Sequence, residues 1–218
     1  MVRSLSVHAC ASDESSKRFR KTALCSVQFA LSLLASEGLR YPTAVITGGA
    51  AMVLSEPKLY KVVKTYDVDL LMELPEDVQE VRSALIRYER THPSEIEVEI
   101  FPEAVKLRPL RGSLMSVDFV CTYRPRIQEL FEYAYSNAVA GKAIGEAKGA
   151  KIYCACLEDA ILCKLVFGRG KDISTVRQIV SQLGERLDWE YLHRVAAETM
   201  YTCRLLGGIP SRRHKRKS

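Results

Sequence analysis

Apolar residues recur at helical spacing at Leu24, Val27, Leu31 and Leu34, which predicts a first helix over residues 20–37. Gly38 ends it and Pro42 blocks its resumption. The residues ahead of it, 1–20, are polar and read as a flexible N-terminus. Ala44-Val45-Ile46 is a short buried strand, and Gly48-Gly49 turns the chain into a second helix that stops before Pro57. Residues 66–72 predict a strand. Its alternation sets Tyr66, Val68, Leu70 and Met72 on one apolar face, to lie under helices, and Asp67, Asp69 and Leu71 on the other. Pro75-Glu76-Asp77 opens a third helix with the stripe Val78, Val81 and Leu85.

Further along, residues 95–101 alternate strictly, so Glu95, Glu97 and Glu99 form a solvated strand face. Residues 115–121 predict another strand, and 126–135 a helix with Ile127, Leu130 and Phe131 inside. A Gly- and Ala-rich stretch, 138–156, ends in a strand at 151–155. Three helical segments follow, over 157–168, 172–183 and 188–205, with Asp188 as the N-cap of the last. The chain has no internal repeat. These elements predict an α+β protein. A mixed-sheet core over 21–156 is flanked by helices, a helical C-terminal part over 157–206 packs on it, and a basic flexible tail occupies 207–218.

Charge changes this picture little. Of the formal +6, five positive charges sit in the last eight residues, Ser211 to Ser218, so the body is close to neutral. That tail could track an RNA backbone or serve as a solvated terminus with no fixed role. Seven cysteines, at 10, 25, 121, 154, 156, 163 and 203, match no paired zinc spacing and read as reduced, buried thiols. The four histidines are scattered and form no metal-type spacing. With no apolar run of membrane-span length and no signal-peptide core, the expectation is a cytoplasmic protein with no membrane partner.

The chemistry lies with the acids. Asp67 and Asp69 project from one face of a strand, roughly 7 Å apart by the rise per residue. Like charges so placed raise each other's pKa unless a cation intervenes, and Mg²⁺ suits one or two carboxylates while keeping other positions for water and phosphate. Asp118 is the only charge in the strand Met115–Cys121. It is either the third acid of a two-metal site or the partner of an Arg or Lys. Gly48-Gly49 lets backbone approach a ligand, with free N–H groups at the following helix start suited to a triphosphate; a purely structural turn is the alternative. Thr65 either positions a phosphate or ends a loop. Lys164 falls on the apolar face of its helix with Leu157, Ile161 and Leu165. There it either points inward to a phosphate or snorkels along that face. Arg169 and Lys171 are solvated turn residues or phosphate contacts, and Asp172 reads foremost as an N-cap or first-turn acid.

Together, Thr47-Gly48-Gly49, Asp67-Val68-Asp69 and Asp118 resemble the signature of the nucleotidyltransferase superfamily with the polymerase-β-type fold. Gly48-Gly49-Ala50-Ala51, Thr65 ahead of the acid pair, Leu157-Glu158-Asp159 through Lys164, and Arg169-Gly170-Lys171-Asp172 look most like the AbiEii/AbiGii-type toxin-like branch. The resemblance covers residues 44–180. It departs in the seventeen residues between Gly49 and Asp67, and in Thr175, where an Asp is often seen. It implies Mg²⁺ or Mn²⁺ on Asp67, Asp69 and Asp118, and an NTP held by Gly48, Gly49, Thr65, Lys164 and Lys171. It further implies an RNA (tRNA especially) or protein acceptor, and a setting in toxin–antitoxin defence with a cognate antitoxin. A catalytically inactive RNA-binding or regulatory module and a small-molecule nucleotidyltransferase of the antibiotic-modifying type are the competing readings.

Overall fold

The computed structural model describes residues 5–72, 75–102, 104–120 and 125–198. Seven strands form one mixed sheet: β1 (Thr43–Thr47), β2 (Asp67–Leu71), β3 (Ile96–Phe101), β4 (Ala104–Pro109), β5 (Ser116–Val120), β6 (Gly145–Ala147) and β7 (Ala150–Cys154). Their spatial order is β3-β4-β5-β2-β1-β7-β6. β2 runs parallel to β5, and β1 parallel to β7; the other neighbours are antiparallel. The helices are α1 (Leu5–Ser36), α2 (Gly48–Ser55), α3 (Pro75–Thr91), α4 (Pro125–Ala140), α5 (Leu157–Phe167), α6 (Gly170–Leu183) and α7 (Trp189–Glu198).

Alternation divides the sheet into two unlike faces. Val68, Leu70, Val105, Leu107, Val117 and Phe119 are buried on one, where α1 and α3 pack. Asp67, Asp69, Lys106, Ser116 and Asp118 occupy the other and keep partial exposure. Among the described residues, α4 and α5 cover it at its β1–β7 side, and α2 contacts β1 and β2. The open half over β2, β5 and β4 is the floor of the candidate site.

Three expectations change. The first helix begins at Leu5, well before residue 20, and Phe19 packs edge-on against Tyr60, so residues just before 20 are docked rather than frayed. Tyr66 lies just before β2 and is 82 % exposed, not under helices with Val68 and Leu70. β4 and β6 are additional strands. The C-terminal helices share one continuous core with the sheet, through Ile161, Leu165, Val176, Ile179 and Leu192. Asp188 does cap α7, its Oδ1 accepting from Tyr191 N at 2.9 Å. The basic tail, Cys121, Cys203 and Leu206 lie outside the described residues. No helix of the described residues is long and apolar enough to cross a membrane.

Candidate active site

Strand register gathers the acids. Asp69 stands beside Asp118 on β5, Asp118 beside Lys106 on β4, and Lys106 beside Glu99 on β3; Thr47 of β1 flanks Asp69 on the other side. One row of polar side chains therefore crosses five strands on a single face, because cross-strand partners always share a face.

The long segment between Gly49 and Asp67 folds back on itself through α2 and a 3-10 turn at Pro57–Lys61. This brings glycines and acids together. Gly48 adopts φ +64°, and a Cβ there would sit 1.9 Å from Asp69 Oδ2, so only glycine admits the Asp69 carboxylate against the start of α2. A Cβ on Gly49 would meet Thr65 Cβ at 2.9 Å. Thr65 Oγ1 lies 3.1 Å from Asp67 Oδ1 and 3.0 Å from the Asp67 carbonyl, and its proton is donated to these oxygens. Thr65 thus orients Asp67 from a seat that the second glycine makes room for. The N-cap of α2, Thr47, makes no side-chain capping bond to the first-turn N–H groups.

Crowding and burial set the protonation of the cluster. Burial, then Asp67 and Asp118, push Asp69 up to about 7, against the pull of Lys164 and Arg169. Asp118 is raised to about 6 by burial and by Asp67, with Lys106 opposing. Its Oδ2 lies 3.3 Å from Lys106 Nζ, while its buried Oδ1 has no hydrogen-bond partner. Lys106 Nζ is also 3.6 Å from Asp67 Oδ2. Burial alone would lower the Lys106 ammonium, but Asp118 and Asp67 outweigh it and hold it above its ordinary value.

These features bear on a divalent cation. No group of three or more His, Cys, Asp or Glu side chains among the described residues is arranged to hold one. Mg²⁺ does not need such a cage: one or two carboxylates suffice, with water and phosphate completing the shell. Asp67 and Asp69 supply that donor set, two partly exposed carboxylates on one strand face.

Lys106 was invisible to the reading of the acids, although two signals pointed to it. Val105 and Leu107 alternate with Lys106 and Arg108 as in a strand, and a lone Asp in an apolar strand calls for a neighbouring cation.

The C-terminal cations are placed differently from one another. Lys164 points inward, 18 % exposed, and its Nζ is 3.1 Å from Asp172 Oδ1. Arg169 Nε is 2.5 Å from the other oxygen of Asp172, which is buried in the first turn of α6. Lys171 is exposed and takes no part in this cluster. Asp159, within the Leu-Glu-Asp segment, is fully buried and ties helices together, accepting from Tyr191 Oη on α7 at 2.5 Å and Asn137 Nδ2 on α4 at 3.5 Å. Among the described residues the thiols Cys25, Cys154, Cys156 and Cys163 are free. Burial pushes Cys154 up to about 11 and Cys163 up to about 12. Cys156 is exposed at the N-cap of α5, not buried as expected of the cysteines.

A family model described as "Nucleotidyltransferase of unknown function (DUF6036)" matches residues 22–206. The chain belongs to that family. The match includes every site residue considered above, from Gly48 to Lys171. No curated protein and no solved structure matches this nucleotidyltransferase.

Proposed function

We propose that this nucleotidyltransferase moves a nucleoside monophosphate from an NTP to a hydroxyl of RNA, tRNA in particular, with Mg²⁺ or Mn²⁺ held by Asp67 and Asp69. The observation that carries the reading is the fit of Gly48 against Asp69, which joins an uncapped helix start to the acidic row. When bound, the cation would neutralise triphosphate charge and make the α-phosphorus more electrophilic. Backbone N–H groups from Gly48 onward hold phosphate oxygens at the start of α2. Thr65 keeps Asp67 turned toward the cluster. Asp118, partly exposed on the same face and with its Oδ1 unpartnered, accepts the proton of the acceptor hydroxyl as its oxygen bonds to the α-phosphorus. The bond between the α-phosphorus and the bridging oxygen breaks, and its electron pair leaves with pyrophosphate. Lys164 and Arg169, whose charges reach Asp69, stabilise that leaving charge.

The polyanionic acceptor is favoured by the five cationic residues of the C-terminal tail. A role as the toxin of a toxin–antitoxin pair follows from the likeness of the Gly-Gly and Leu-Glu-Asp segments to that branch. Incubation with each α-labelled NTP, Mg²⁺ or Mn²⁺, and total RNA is expected to label RNA. Asp67→Ala and Asp69→Ala should abolish it. Label that survives both substitutions sinks the assignment of the acids. Label on protein instead of RNA changes the acceptor. Absence of transfer together with absence of metal-dependent NTP binding favours an inactive binding module.

A further inference from the structure

Lys106 occupies ground that a second divalent cation would need. Its ammonium sits between Asp67 and Asp118, 3.6 Å and 3.3 Å from their carboxylates. The position is built into the sheet. Lys106 is the register partner of Asp118 on one side and of Glu99 on the other, while Val105 and Leu107, buried on the opposite face, fix the strand's pleat. Its side chain is 21 % exposed, so the ammonium is lodged in the floor of the cleft, not waving above it.

In two-metal sites the ions lie roughly 3.5–4 Å apart and share acids. An ion bridging Asp67 and Asp118 would stand within about one such spacing of Nζ. Repulsion there carries a charge product of two, as large as the ion's attraction to either carboxylate at similar distance, so the ammonium cancels one of its two acidic ligands. The three acids and Lys106 together sum to a formal charge of minus two, which a single divalent cation balances.

We infer that Lys106 replaces the second cation: the site takes one divalent ion, on the Asp67–Asp69 side, and the ammonium does the electrostatic work of the other between Asp67 and Asp118. Lys106 also leaves Asp118 Oδ1 free by engaging only Oδ2. This rests on the nucleotidyl-transfer reading above, and the test separates the two.

The test counts Mn²⁺ bound to the full chain, with the metal alone as probe, by equilibrium dialysis and by loss of the free-ion electron paramagnetic resonance signal. Wild type is expected to bind one ion, lost in Asp69→Asn. Lys106→Met should double the bound Mn²⁺ and show spin–spin broadening between neighbouring ions, and Asp118→Asn in that background should return the count to one. Lys106→Arg, which keeps the charge, should stay at one. If Lys106→Met does not fold by circular dichroism, Lys106→Gln carries the same test at this partly exposed position. Two ions in wild type, or one in both neutral variants, overturns the role of Lys106 alone. No bound Mn²⁺ in wild type, or binding that survives Asp69→Asn, overturns the metal assignment itself and Lys106 with it.

Discussion

Burial and two neighbouring acids favour the protonated form of Asp69. Its folded value of about 7 exceeds the ordinary carboxylate value of about 4, so the folded chain keeps a proton that the unfolded chain has released. That contribution to stability is complete below about pH 4 and is lost as pH rises through about 7. Without metal, Asp69→Asn is therefore expected to be more stable than wild type at pH 8, by on the order of 2 kcal/mol, with the gap closing toward pH 4. Thermal melts of both proteins across that range read it; a gap that widens toward acid contradicts the assignment. Added Mg²⁺ should raise the wild-type melting temperature more at pH 8 than at pH 5, because it favours the ionised form. Gly48→Ala meets two obstacles, the φ of +64° and the Asp69 oxygen. It should cost about 3 kcal/mol in urea denaturation and remove transfer activity. Thr65→Val frees the Asp67 carboxylate and is expected to lower the transfer rate while leaving melting within a few degrees.

β2 and β5 were legible in the sequence from their alternation, and with β2 the placing of Asp67 and Asp69 on one face; Asp118 joins them only through the β2–β5 register. β4 was not legible, because only residues 102 and 103 separate it from β3 and no longer break marks its start. The cost of missing β4 was missing Lys106. β6 spans only Gly145–Ala147, too short for any period to register. The inward direction of Lys164 followed from helical spacing, but its partner did not. Asp172 reads as a helix-start acid, and only the packing of α6 against α5 turns it toward Lys164. Removing that lysine leaves a carboxylate 2 % exposed with Arg169 alone. Lys164→Ala should cost about 2 kcal/mol, and adding Asp172→Asn should recover part of it, measured as a double-mutant cycle by urea unfolding.

One core runs from α1 through the sheet to α7, so the chain should unfold in a single cooperative transition. Leu34 on α1 and Phe119 at the centre of the sheet are both fully buried. Leu34→Ala and Phe119→Ala are each expected to cost roughly 2–5 kcal/mol without splitting the transition. Ser26 Oγ on α1 accepts from Met115 N just before β5, a tie between distant parts of the chain. A chain that begins at Gly38 would uncover Val68, Leu70 and Phe119 and is expected to be insoluble on expression. The two halves of the open face come from different stretches of chain. Gly48, Asp67 and Asp69 arrive with β1, α2 and β2, whereas Lys106 arrives on the β3–β4 hairpin. On the proposed reading, a substitution at position 106 would change the demand for metal while the Gly48–Asp69 segment stayed unaltered, and two chains sharing every glycine and acid would then differ in the ion concentrations at which they work.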